Sequence, residues 1–308
     1  MMRAVVVSAS GSPTTFEIVE VPEPAPGPGQ ARVRMAGATV NPTDLAFASG
    51  AYGDLPDSAV SGVDLAGTVD AVGEGSVWPV GTRVVGFVSP MEPSGGAQAE
   101  LVVVDDGQLA ATPDALDDVH AAALPLSLLT ASTALRLVAL APGQVLGVTG
   151  ATGAVGGHLV ELACQAGLHV VVDCKEQDRP LVERLGASVV VPRSEDPAAA
   201  YREAVPGGVD ALVDAAALSA KVIGAVRDGE KMVTLRYWKG PSERRVDLVE
   251  TSEMGKTHDT DRLRDLIARA GDGAFEVSVA ATMPLEAVNR AHEMMTQGGV
   301  RGRLVLTP

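Results

Sequence analysis

Val148-Thr149-Gly150-Ala151-Thr152-Gly153-Ala154-Val155-Gly156 is the stretch on which the reading of this 308-residue chain turns. An apolar run over residues 145–149 leads into it and a helix-patterned run over 155–166 follows, so the glycines mark a strand-to-helix turn. Gly153 and Gly156 hold the second and third places of a G-x-G-x-x-G fingerprint, with Ala151 at the first and Gly150 just before it. Backbone N–H groups over Thr152, Gly153, Ala154, Val155 and Gly156, at a helix N-terminus, suit the pyrophosphate of a dinucleotide. The same glycines also serve a tight packed turn that holds no ligand.

Outward from the turn, strand-like and helix-like runs alternate: 170–173, 180–185, 188–191, then apolar runs at 211–214 and 232–235. Strands separated by helices of this length need right-handed crossovers, which predicts a doubly wound parallel sheet. Asp173 lies at the end of the second strand, seventeen residues after Gly156. A carboxylate there accepts hydrogen bonds from an adenosine ribose and repels a 2′-phosphate, which favours NADH. Lys175, Arg179 and Arg193 lie close enough in sequence to offer a phosphate cationic partners instead. Asp173 also reads as a strand-end cap and Lys175 as a solvated side chain, so the choice of nucleotide stays open.

The first third has a different texture. Residues 3–8, 16–21, 31–36, 60–73, 81–88 and 97–104 read as short Val-rich strands separated by Gly and Pro, the pattern of a small barrel. After a helix over 261–270, the tail gives a strand at 275–280, a helix at 285–296 and a strand at 303–306. The length is roughly two domains' worth of chain.

Composition narrows the function. With 24 basic and 39 acidic residues the net charge is −15, which repels nucleic acid and anionic membranes. Cys164 and Cys174 are the only two cysteines, too few for a disulfide framework or a four-cysteine zinc lobe, so the cytoplasm is the expected compartment. The apolar run after Arg3 is too brief for a signal-peptide core. Residues 121–135 contain Pro125 and stop at Arg136, short of a membrane span, and are expected to form one buried helix.

A further set of motifs carries a family resemblance: Asn41-Pro42-Thr43-Asp44 with Gly50 and Tyr52; Gly62-Val63-Asp64-Leu65-Ala66-Gly67; Val80-Gly81-Thr82-Arg83-Val84; Leu124-Pro125-Leu126 with Thr130-Ala131; the glycine turn; Arg184-Leu185-Gly186-Ala187; Val213-Asp214; and Val300-Arg301-Gly302-Arg303-Leu304-Val305-Leu306. In this order the chain resembles the zinc-independent quinone oxidoreductases and enoyl reductases of the medium-chain dehydrogenase/reductase superfamily. The resemblance implies an α/β architecture: a GroES-like β-barrel catalytic domain from residues 1–115 with 266–308, and a Rossmann domain over 116–265. It also implies NADPH as cofactor, with NADH admitted by Asp173, a small carbonyl substrate bound in a cleft, and a homodimer. Zinc-dependent relatives place ligands where Asn41, Val63 and Leu126 stand, and the five histidines show no compensating spacing, so no metal is expected.

Residue by residue, the resemblance makes Asn41 and Tyr52 candidate hydrogen-bond donors to the substrate and Asp44 a wall of the same pocket. Asn41 also reads as a loop cap, Tyr52 as a packed ring and Asp44 as a structural residue. Thr130 is expected at the start of a helix facing the nicotinamide, with Ala215, Ala216, Leu235 and Arg236 in bordering loops and Arg301 on the cofactor. Tyr237-Trp238-Lys239 concentrates two of the chain's nine aromatic residues, and Trp238 reads either as a stacking platform for a planar substrate or as loop packing; Met254 and Lys256 are similar candidates. Departures from relatives, including Ala46, Ala48, Pro192, Ala217-Leu218 and Gly299, point to a specialised reductase of an activated C=C bond or quinone. A cyclase or dehydratase without net hydride transfer, and a nucleotide-binding sensor, are the competing functions.

Overall fold

Valine-rich segments with alternating burial build the first part of the molecule. In the computed structural model, which describes residues 1–7, 16–56, 59–235, 238, 240–251 and 259–308, the chain separates into two compact units. One comprises the described residues of Met1–Leu126, Lys256–Gly273 and Val277–Pro308, and the other those of Ser127–Gly255 with Ala274–Glu276. In the first unit β1 (Met2–Val7) and β2 (Phe16–Val21) pair antiparallel. The long β3 (Gln30–Thr39) is followed by a short helix α1 (Pro42–Ala48) and by β4 (Asp64–Val72), β5 (Arg83–Phe87), β6 (Leu101–Asp105) and β7 (Leu109–Ala111). Two register shifts along β3 against β4 bend the sheet. β3 pairs with β6 as well as β4.

Residues 121–135 form not one helix but parts of two: α2 (Asp118–Ala122) and α3 (Pro125–Val138). Pro125 has no N–H to donate, so it opens the second helix. The second unit is the predicted doubly wound sheet. Its elements are β8 (Val145–Thr149), α4 (Ala154–Gln165), β9 (His169–Cys174), α5 (Arg179–Arg184), β10 (Val189–Pro192), α6 (Pro197–Ala204), β11 (Val209–Asp214), α7 (Ala220–Ile223), β12 (Val226–Thr234) and β13 (Asp247–Glu250). The strand order is β10-β9-β8-β11-β12-β13 and every pair is parallel. The order therefore reverses between β8 and β11, and the carboxyl ends of strands at such a reversal form the ligand crevice of open α/β sheets.

The chain then returns to the first unit with α8 (Thr260–Gly271), β14 (Val279–Pro284), α9 (Val288–Gln297) and β15 (Arg303–Thr307), completing a seven-stranded sheet whose main path is β14-β15-β3-β4-β5-β7. The strand expected at 275–280 begins only at Val279. Phe275 and Glu276 are taken up by the second unit instead: the Phe275 ring stands edge-on to His158, and the Glu276 N–H donates to the Glu161 carboxylate at 2.7 Å. Among the described residues no helix is long and apolar enough to cross a membrane.

Candidate functional site

In the first unit a buried polar cluster surrounds the end of β3. Asn41 is the N-cap residue of α1, and its own N–H donates to the Asp44 carboxylate at 2.9 Å. The Asn41 amide Nδ2 donates to Thr39 Oγ1 at 2.9 Å and to Asp64 Oδ2 at 3.2 Å, while its Oδ1 accepts from Arg303 Nη2 at 2.6 Å. Arg303 also donates to Asp64 Oδ2 at 2.7 Å, and the Leu126 N–H donates to Asp64 Oδ1 at 2.6 Å. Asn41, Asp44 and Asp64 are all fully buried. Asn41 is therefore held by protein on each polar atom rather than offered to a substrate, and the geometry corrects the expected donor role to one of scaffold. Asp64, Arg303, Thr39 and Gln98 complete this cluster, and none was a candidate site residue in the sequence.

Among the described residues no arginine or lysine hydrogen-bonds to Asp44. Burial raises its carboxyl to about 7, although hydrogen bonds from the Asn41 N–H and Gln98 oppose the shift. The His292 imidazole lies 3.8 Å away, stacked on Phe16 with ring centroids 4.2 Å apart, and burial lowers it to about 4. Both groups are thus neutral in the window between those values. The folded chain keeps a proton on Asp44 that the unfolded chain releases above the ordinary carboxylate range, so this contribution to stability is lost as pH rises through about 7. His292 acts oppositely and only below its ordinary value, where the unfolded chain binds the extra proton. Asp44→Asn keeps an acceptor for the Asn41 N–H and removes the titration. Its stability relative to the parent is expected to improve by about 2–3 kcal/mol between pH 5 and pH 8, measured by denaturant unfolding at both values.

Tyr52 is separate from this cluster: its ring tilts against Phe47 at 4.8 Å and is 46% exposed. Burial of the remainder raises the phenol above its ordinary value, so the hydroxyl stays protonated.

In the second unit the glycine turn joins β8 to α4, with Gly153 as N-cap residue. Gly150 has φ +69°, and a Cβ at Gly156 would stand 2.2 Å from the Gly150 carbonyl oxygen, so internal geometry demands glycine at both. A Cβ at Gly153 would meet only that oxygen, at 3.4 Å. Internal packing does not require glycine at this exposed position, which leaves the helix N-terminus open to a close-approaching anion. Thr152, Ala154 and Val155 beside it are half-buried. Across the strand-order reversal, the Thr149 hydroxyl donates to Asp214 at 2.6 Å and accepts from the Ala216 N–H at 3.1 Å. Asp214 also accepts from the N–H groups of Leu218 and Ser219 at 3.0 and 2.7 Å. Ala215 and Ala216 are thereby fixed beside the glycine turn. These residues fit a dinucleotide pyrophosphate: an exposed glycine at the helix N-terminus and a braced neighbouring loop.

The remaining candidates fall as follows. Asp173 is buried in β9, and its Oδ2 accepts from Arg193 Nε at 3.1 Å; Lys175 is exposed one residue past the strand. Thr130 is the sixth residue of α3 and half-buried, not at the helix start, because the helix begins at Pro125. Leu235 follows β12 and is half-buried, and Arg301 lies in the turn before β15. Trp238 packs on the apolar core of its own unit and covers Gly240, where a Cβ would come within 1.8 Å of the ring. That packing corrects the expected substrate platform to a structural ring. Arg236, Tyr237, Lys239, Met254 and Lys256 lie outside the described residues. Among the described residues no group of three His, Cys, Asp or Glu side chains is arranged to hold a metal ion.

Comparison with known proteins agrees with this architecture. Residues 27–114 match the alcohol dehydrogenase GroES-like domain, and residues 185–306 match the zinc-binding dehydrogenase family. The chain is 30% identical over 290 residues to erythronolide synthase EryA2 of Saccharopolyspora erythraea, a match covering 90% of this chain and 8% of the synthase. It is 33% identical over 171 residues to the trans-enoyl reductase himH of Aspergillus japonicus, covering 51% of this chain and 50% of the reductase. It thus spans half or less of the length of these two curated relatives. Among solved structures, a mycobacterial protein complexed with NADPH is 27% identical, with each chain fully covered and a TM-score of 0.86. With both halves of the architecture and these relatives in agreement, the chain has the medium-chain dehydrogenase/reductase fold, with its GroES-like domain and its Rossmann-like parallel sheet.

Proposed function

We propose that the protein is a zinc-independent, NADPH-dependent reductase of an activated carbon–carbon double bond, of the enoyl or enone type, with quinones as the related acceptor class. The observation that carries this reading is the pairing of an open glycine turn with a buried arginine at Asn41. The glycine turn and the braced Ala215–Ala216 loop suit the dinucleotide. At Asn41, where zinc-dependent relatives carry a metal ligand, the side chain is committed to the Arg303 guanidinium. A trans-enoyl reductase among the relatives and an NADPH complex among the solved structures support the same reading.

When bound, the reduced nicotinamide supplies a hydride. Conjugation lets the β-carbon of an enoyl or enone substrate accept it, with the electron pair moving to the carbonyl oxygen and a proton then joining the α-carbon. A simple ketone offers no such path and needs a stronger electrophile at oxygen. In this chain the protonated Tyr52 hydroxyl is the donor proposed to steady the developing oxyanion. Asn41 and Asp44 position the start of α1, which leads to Tyr52. The reading also takes the substrate as a small molecule and the assembly as a homodimer.

The test is nicotinamide oxidation over a panel of enones, enoyl thioesters, quinones and matched saturated ketones. Turnover of the conjugated acceptors with none for the saturated ketones is expected. Tyr52→Phe should lower kcat about tenfold or more while leaving nucleotide affinity unchanged. Nucleotide binding without oxidation of any acceptor would reject the reductase reading.

A further inference from the structure

A carboxylate at the end of the second parallel strand favours an unphosphorylated ribose when its oxygens face outward. Asp173 does not present itself that way. Its side chain is only 4% exposed, and Oδ2 accepts from Arg193 Nε at 3.1 Å. Its Oδ1 lies 3.5 Å from the Tyr201 hydroxyl, which is itself anchored 2.8 Å from the Val148 carbonyl.

The backbone explains why Arg193 reaches it. Val191 and Pro192 of β10 pair with Asp173 and Cys174 of β9, and the Arg193 N–H donates to the Cys174 carbonyl at 3.0 Å. Arg193 therefore leaves the sheet at its carboxyl edge beside Asp173. The ion pair engages Nε, while the side chain as a whole stays 43% exposed. The two terminal nitrogens of a guanidinium carry four further N–H donors in a planar fork suited to phosphate. One oxygen of a buried acid thus orients a half-exposed cation at the edge of the sheet where nucleotides bind.

Resting on the reading of the second unit as a nucleotide-binding unit, we propose that Arg193 recognises the 2′-phosphate of an NADPH-type dinucleotide, and that Asp173 is its positioning residue rather than an acceptor for the ribose. Asp173 and Arg193, which pull the nucleotide choice in opposite directions when read separately in the sequence, act as one device. The buried carboxylate fixes the guanidinium, and the guanidinium neutralises the charge that would otherwise repel the phosphate. Exposed Lys175 lies near enough in sequence to add to the local positive field.

Calorimetric titration with two nucleotide fragments, 2′,5′-ADP and 5′-AMP, tests this without any turnover. The parent protein is expected to bind 2′,5′-ADP about tenfold or more tightly than 5′-AMP. Arg193→Ala should bring the two affinities to within about twofold, with Arg193→Lys intermediate because a point charge replaces the fork. Asp173→Asn keeps an acceptor for Nε and removes a negative charge near the phosphate, so it should leave 5′-AMP unchanged and hold or tighten 2′,5′-ADP. Circular dichroism of each variant confirms folding. Equal fragment affinities in the parent, an undiminished preference in Arg193→Ala, or weakened 5′-AMP binding in Asp173→Asn overturns the assignment while leaving the nucleotide-binding reading intact. Failure of the parent to bind NADPH, NADH and both fragments overturns both.

Discussion

Replacing Arg303 with methionine is expected to destabilise the first unit by about 3–5 kcal/mol, because it leaves the carboxylate of Asp64 buried without its cation. Arg303 Nη2 lies within hydrogen-bond distance of three acceptors: Asn41 Oδ1 at 2.6 Å, Asp64 Oδ2 at 2.7 Å and Thr39 Oγ1 at 2.8 Å. Asp64 is fully buried and keeps the Leu126 N–H, the Thr39 hydroxyl and the Asn41 amide as donors, but none of them carries charge. The pairing makes a second expectation. Asp64→Leu combined with Arg303→Met removes both charges and should cost less than the sum of the single changes, because each single change strands one buried ion. Denaturant unfolding of the four proteins measures the coupling. Additive costs would show that the two side chains do not act as a pair.

The second large effect concerns nucleotide binding. Gly156→Ala is expected to weaken NADPH binding by about a hundredfold or more, roughly 3 kcal/mol. Its new Cβ would stand 2.2 Å from the Gly150 carbonyl oxygen and 3.0 Å from the Ala151 Cα. Both contacts are backbone, so the turn must open and the N–H groups at the start of α4 lose their common direction. Gly153→Ala separates this packing effect from direct obstruction. Gly153 has φ −88° and ψ 165°, a conformation any residue adopts, and a Cβ there meets only the Gly150 oxygen at 3.4 Å. That variant should keep the parent's thermal stability yet lose nucleotide affinity, because its methyl group would stand at the exposed N-terminus of α4 proposed to hold the pyrophosphate. Calorimetry and a thermal melt of both variants check the contrast. Unchanged NADPH affinity in both would remove the glycine turn from the binding site.

What the sequence made legible follows from the range of the interactions involved. The glycine turn, its flanking strand and helix, and the alternation from 145 to 214 are local patterns, and each survives in the folded chain at nearly the expected residues. The cluster around Asn41 is the opposite case. Arg303 meets Asn41 and Asp64 across 262 and 239 residues of chain, and no local period reports such a pairing. A signal was nonetheless present: an arginine opening the apolar run Arg303-Leu304-Val305-Leu306, and an aspartate inside Val63-Asp64-Leu65. Lone opposite charges in two strands that are otherwise built for a core call for a buried partner.

Asp173 shows a related limit. Its place at a strand end was readable, but the direction of its oxygens depends on the register of β10 against β9, which brings Arg193 alongside. For Trp238, rarity of aromatic residues suggested a substrate contact, whereas the ring fills the edge of its own core over Gly240. The low aromatic content therefore reflects packing by valine and alanine, and Tyr52, 46% exposed, is the aromatic side chain proposed for the chemistry.

In the proposed reaction hydride reaches the β-carbon of a conjugated double bond. The most direct measurement is a single turnover with NADPH deuterated at the transferred position of the nicotinamide ring and an α,β-unsaturated thioester or ketone, with the product read by NMR. Deuterium is expected at the β-carbon of a saturated carbonyl product, with a solvent-derived proton at the α-carbon. Deuterium on the carbonyl carbon of an alcohol product, with the double bond retained, would contradict it.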